Sequence, residues 1–212
     1  MIRSRILLAV TGILAGHIPS AVALEETIEI QSRTLTDEEF LRADTSAGQP
    51  VTIAGRLAGP DRDGPQPVVM LLHGTDGPMS AAVREWRRFL NDSGFATFTL
   101  NSYSGRGFSE ASGDQARFGQ FSQIYDVYRA VETLAKDTRV DGTRIAVMGF
   151  SRGGNAALYS AMLRFQDAFG PKSGRIAAHL PFYPACNFEL VDQLRVTDSP
   201  IREFHGAQDD WT

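Results

Sequence analysis

Two short runs, Val68-Val69-Met70-Leu71-Leu72 and Ile145-Ala146-Val147-Met148, are apolar at every position. A strand with one wet face alternates, so an unbroken apolar run of this length reads as a strand covered on both faces. Each run leads straight into a glycine-containing segment, and helical patterns follow at Ala81–Leu90 and Asn155–Phe165. Further strands are expected at 27–31, 51–57, 95–100, 176–182 and 201–204. A helix is expected over 121–135, where Ile124, Val127, Tyr128, Val131, Leu134 and Ala135 form one stripe. Alternating helices and buried strands predict an α/β fold, a mostly parallel central sheet with helices on both faces. The 212 residues carry no repeat or linker, which suits one domain.

The first residues fit the fold poorly and fit an export signal well. Arg3 and Arg5 precede the uncharged apolar stretch 6–16, and Ala21-Val22-Ala23 has the small-x-small form of a cleavage site. The expected organisation is a signal peptide over 1–23 and a domain over 24–212, in a periplasmic or secreted protein. The stretch is shorter than the roughly 20 residues of a bilayer span, so no stable membrane insertion is expected. Removing residues 1–23 takes away two arginines and no acid, leaving 19 bases against 25 acids. That balance gives no reason to expect nucleic acid as partner. Cys186, the only cysteine, is an odd thiol for an oxidising compartment.

In an open parallel sheet, ligands bind beyond the carboxyl ends of the strands. Three segments there carry chemistry. Gly149-Phe150-Ser151-Arg152-Gly153 is a G-x-S-x-G between a strand and a helix, the context of a nucleophile elbow. Gly149 and Gly153 leave room for the tight backbone, and Ser151 stands at a helix N-terminus that favours developing negative charge. The plainer alternative is a serine that only caps the helix. The second segment is Leu72-His73-Gly74-Thr75-Asp76-Gly77. Its backbone N–H groups can complete an oxyanion hole with that of Arg152; Thr75 is the expected donor, with Gly74 and Asp76 as alternatives. His73 reads chiefly as a structural residue bonded to loop backbone, though it borders the cleft. The third is Phe204-His205-Gly206-Ala207-Gln208-Asp209, where Asp209, ahead of neighbouring Asp210, is placed to orient a catalytic imidazole. Tyr103, Phe182 and Tyr183 follow strand ends, as pocket walls or as core. Arg152 is open to two readings, a cation for an anionic substrate group or a solvated, salt-bridged side chain.

Other chemistries are weaker. Gly105-Arg106-Gly107-Phe108-Ser109-Glu110 lacks the last glycine of a dinucleotide fingerprint and reads as part of a long loop over 101–119 flanking the cleft. No spacing suggests a metal site and no cofactor is implied.

HGTDG, GFSRGG and FHGAQDD, in this order, resemble the dienelactone hydrolase branch of the α/β-hydrolases. The resemblance spans residues 50–212 and implies an α/β-hydrolase fold. It also implies cleavage of a small-molecule carboxylic ester or lactone by a nucleophile, a histidine and an acid. Dienelactone hydrolase itself uses cysteine where this chain has Ser151, which favours a more general serine esterase. In that fold the histidine follows the acid, and none follows Asp209 here. The expectation is a hydrolase missing its C-terminal strand and helix, with weak or no turnover by the 212-residue chain. A natural binding protein with an inert cleft, and a peptidase or lipase on the same fold, are the alternatives.

Overall fold

A computed structural model describes residues 23–185 and 187–209. The signal peptide expected over 1–23 (apart from Ala23), Cys186 and Asp210 lie outside the described residues. Six strands form one sheet in the order β1-β2-β4-β3-β5-β6. β1 (Ala23–Thr34) and β2 (Gln49–Pro60) run antiparallel, as do β2 and β4 (Ala96–Asn101). The remaining pairs, among β4, β3 (Gln66–Leu72), β5 (Val140–Phe150) and β6 (Ile176–Phe182), are parallel. The sheet is therefore mostly parallel, as the apolar runs predict. Residues 201–204 continue it beside β6 through parallel bridges at His179–Ile201 and Phe182–Phe204.

Helices cover both faces. On one, α3 (Ser122–Leu134) buries Ile124, Val127, Tyr128, Val131 and Leu134 in the cluster that holds Val68, Met70 and Leu72 of β3. On the other, α2 (Ala81–Asp92) packs Val83 and Leu90 against Leu71 and Met148. Successive side chains of β3 thus enter opposite cores, which is why no position in the run is polar. Burying one leucine-sized side chain contributes about 1.5–3 kcal/mol. The short helix α1 (Asp37–Leu41) starts on a capping box: Thr36 accepts from the Glu39 amide and the Glu39 carboxylate accepts from the Thr36 amide.

The helix expected at 155–165 is two helices, α4 (Arg152–Tyr159) and α5 (Leu163–Phe169). A distant segment makes the break. Residues 195–197 lie against 161–163, where Leu163 donates to the Arg195 carbonyl and Thr197 to that of Ala161. The Ser160 carbonyl is taken by the Tyr128 hydroxyl and the Gln166 amide. Backbone groups that would extend α4 are committed elsewhere, and no local pattern announces that.

Candidate active site

Register brings the informative segments to one edge. Leu72 lies across from Leu100 on one side and Gly149 on the other, and Gly149 lies across from Pro181. The residues that follow these four positions therefore emerge together at the carboxyl end of the parallel strands.

Ser151 sits between β5 and α4 with φ +52° and ψ −118°. A non-glycine residue held there stores backbone strain of about 1–3 kcal/mol, the kind that surrounding structure must impose. The imposition is visible in the glycines. A Cβ on Gly149 would lie 1.9 Å from the Gly153 carbonyl oxygen, and one on Gly153 would lie 2.3 Å from that of Leu72. The Ser151 amide donates to the Phe182 carbonyl at 3.0 Å, tying the bend to β6. The hydroxyl makes no capping bond to α4, so the serine is not placed there as a helix cap. The first helical bond runs from the Asn155 amide to the Ser151 carbonyl, leaving the Arg152 amide in the unpaired first turn.

The loop after β3 touches this bend. A Cβ on Gly74 would lie 3.5 Å from Ser151 Cβ and 3.2 Å from Asp76 Oδ1. Thr75 is half-buried; its carbonyl accepts from the Ala111 amide at 2.7 Å, which fixes the adjoining peptide. His73 has no exposed surface. Its Nδ1–H donates to the Gly74 carbonyl at 2.8 Å and its Nε2 accepts from the Ser102 amide at 3.2 Å. Burial lowers its pKa to about 4, with nearby Arg152 and Arg106 acting the same way against the bond to Gly74, so the ring is neutral. Tyr103 is likewise fully buried, with its ring 4.3 Å from that of His73 and its hydroxyl donating to the Gly74 carbonyl. As wall residues of an open pocket these two are corrected: both lie beneath the loop and support it. Tyr183, the third, is half-buried and keeps a positive φ of 37°. Its amide donates to the Phe204 carbonyl, and burial followed by the Asp76 charge raises its pKa.

Arg152 fits neither reading its position invites. It is 7% exposed, and its guanidinium donates to the backbone carbonyls of Gln115 and Phe118 while lying over the Phe118 ring. Burial lowers its pKa. The side chain is a clamp on the loop over 101–119, its guanidinium bonded to that loop's backbone.

That loop does more than flank the site. Besides the contacts of Ala111 and of Arg152, it carries Arg106, whose side chain is nearly sealed. Nε donates to Thr34 Oγ1, Nη1 to Asp126 Oδ2 and the Ser102 carbonyl, and Nη2 to Asp126 Oδ1 and the Arg33 carbonyl. Every guanidinium donor is used. Sequence reasoning missed this pair; its one trace is Asp126 among the buried residues of an apolar helix face.

Asp209 closes the turn after residues 201–204, where its amide donates to the Gly206 carbonyl. His205 stands beside it, with Nε2 3.7 Å from Asp209 Oδ2 and Nδ1 3.6 Å from Glu203 Oε1. His179 is fully buried, with Nδ1 2.8 Å from the Ala157 carbonyl, and faces α4. The bridge from Phe204 to Phe182, and the bond from Ser151 to Phe182, put the acid turn at the same sheet edge as the bend. Among the described residues, no three His, Cys, Asp or Glu side chains cluster as a metal site would.

Known proteins share this fold. The dienelactone hydrolase-like promiscuous phosphotriesterase P91 from metagenomic libraries superposes with a TM-score of 0.57 at 20% identity, over 87% of this chain and 70% of that one. The structure named m3DLH gives 0.59 at 22% identity over the same shares. In sequence, an uncharacterised 31.7 kDa protein from the traX-finO intergenic region of Escherichia coli is 28% identical over 95 residues, 45% of this chain and 32% of that protein. The chain thus spans about a third of the length of the curated relatives it matches. A model of the dienelactone hydrolase family matches residues 53–212, from within β2 through the acid turn. Sheet order, bend and family match coincide over that stretch, and the chain belongs to the dienelactone hydrolase family with its α/β-hydrolase fold.

Proposed function

We propose that this protein is an exported serine hydrolase that cleaves a small carboxylic ester or lactone through an acyl-enzyme. The conformation of Ser151 carries the reading: a non-glycine residue at φ +52°, held by backbone contacts between a buried strand and a helix N-terminus. Ser151 Oγ attacks the ester carbonyl carbon as an imidazole takes its proton. The tetrahedral oxyanion accepts from the amides of Arg152 and Thr75, each worth about 2.7–4 kcal/mol in the transition state. Its collapse breaks the bond to the alcohol oxygen, which leaves with the proton from the imidazole. Water, activated by the same imidazole, releases the acid and restores the serine.

Asp209 orients that imidazole. The ring nitrogens of His73 and the position of His179 leave neither able to serve, and His205 belongs to the acid's own turn. Among the described residues no histidine stands where it could serve Ser151 and Asp209 as that base, and the reading carries the expectation of weak or no turnover by the 212-residue chain. Export rests on the signal-like residues 1–23.

A fluorophosphonate reporter applied to the product of the complete reading frame tests the proposal. Labelling on Ser151, abolished by Ser151→Ala, is the expected result. Labelling that survives Ser151→Ala refutes the nucleophile, and no labelling of the complete product leaves the inert-cleft binding protein as the better account.

A further inference from the structure

With Ser151 taken as the nucleophile, we infer that Asp76 and Tyr183 select the substrate's charge, favouring esters that carry a cationic ammonium group over those that carry a carboxylate. The inference begins with where the positive charges went. Arg152, adjacent to the nucleophile in sequence, spends its guanidinium on the carbonyls of Gln115 and Phe118 beneath the loop. Arg106, the other arginine whose charge is felt at His73, is locked to Asp126 with its side chain 4% exposed. Neither can meet a ligand.

Asp76, by contrast, is exposed. The Cβ position of Gly74 lies 3.2 Å from Asp76 Oδ1 and 3.5 Å from Ser151 Cβ, so the carboxylate is within about 7 Å of the serine. The loop cannot drift from that place easily. Ala111 binds the Thr75 carbonyl, and Gly77 leaves no room beside Ser109, where a Cβ would be 2.3 Å from the carbonyl oxygen. Tyr183 supplies the second element, a half-buried aromatic ring whose backbone is held at positive φ by its bond to Phe204. The Asp76 charge also acts on the Tyr183 hydroxyl, which places the two side chains in one field. A carboxylate and an aromatic ring on segments that both adjoin Ser151 suit a quaternary or protonated amine, whose charge each attracts. At this separation, partly screened by water, one unit charge is worth about tenfold in preference.

The test compares acetylcholine with its uncharged isostere 3,3-dimethylbutyl acetate and with monomethyl succinate, using the complete reading frame. The expected kcat/KM ratio of the cationic to the neutral ester is about tenfold, and the anionic ester falls below both. Asp76→Asn brings the cationic-to-neutral ratio close to one, a comparison within one variant that a general folding defect would not produce. Tyr183→Leu lowers the same ratio about threefold. A ratio at or below one in the unsubstituted enzyme, or one unmoved by Asp76→Asn, overturns the inference. If none of the three esters is turned over, fluorophosphonate labelling of Ser151 decides the hydrolase reading separately, and calorimetric titration with choline against 3,3-dimethylbutanol decides the charge preference. Tighter choline binding that Asp76→Asn removes upholds it, and equal binding defeats it.

Discussion

Replacing Asp126 by alanine strips the counter-charge from a guanidinium that cannot reach water. Arg106 is 4% exposed and Asp126 not at all, and the carboxylate also accepts from the Ser32 hydroxyl. The substitution removes two charge-assisted bonds, at 2.9 and 3.0 Å, and orphans the serine, while leaving the cation in place. Removing one partner of a buried pair costs about 3–5 kcal/mol, because the remaining charge keeps its desolvation penalty. For a domain of this size each kcal/mol moves Tm by about 2–4 °C, so a fall of about 6–20 °C is expected. Arg106→Met should cost less than Asp126→Ala plus its own lost bonds to the Thr34 hydroxyl and the carbonyls of Arg33 and Ser102. The double substitution Arg106→Met with Asp126→Ala should recover part of the loss, giving a coupling of about 1–3 kcal/mol. Thermal and urea unfolding of the four proteins measure this cycle. If Asp126→Ala costs less than about 1 kcal/mol, the pair is solvated in solution and the account of a loop pinned from β1 and α3 is wrong.

Two further outcomes follow from the site. His73 is buried neutral, with its pKa depressed to about 4 from an ordinary 6.5. Its contribution is therefore complete above about pH 6.5 and is lost as pH falls toward 4, amounting to about 3 kcal/mol across that window. His179 acts with the same sign. Urea midpoints measured from pH 7 to 4 should fall, and His73→Asn should flatten the slope; an unchanged slope would show that another group titrates there. Gly149→Ala drives a Cβ into the Gly153 carbonyl, backbone against backbone, with no flexible side chain to yield. It should cost about 3 kcal/mol or more and remove fluorophosphonate labelling; a variant with wild-type stability would mean the bend is looser than described.

Local sequence was enough wherever one residue type had one physical reason to be there. The all-apolar runs 68–72 and 145–148 read as strands covered on both faces, and they are β3 and β5, adjacent strands each paired on both sides. Glycines flanking Ser151 marked a bend that a Cβ would obstruct, and the marks of the family lay in the same three strand ends. Contacts between residues far apart in the chain decided the rest. The expected single helix after Ser151 was split by a segment some 35 residues later. The role of the loop over 101–119 rests on Arg106 meeting Asp126, twenty residues on, and on Thr34, seventy-two residues back. Arg152 was open to two readings, a charge offered to substrate or a solvated, salt-bridged side chain, because sequence gives a residue's place along the chain and not the direction of a long flexible side chain. Packing turned it inward, beneath the loop over 101–119, while the carboxylate of Asp76 stayed exposed beside the serine.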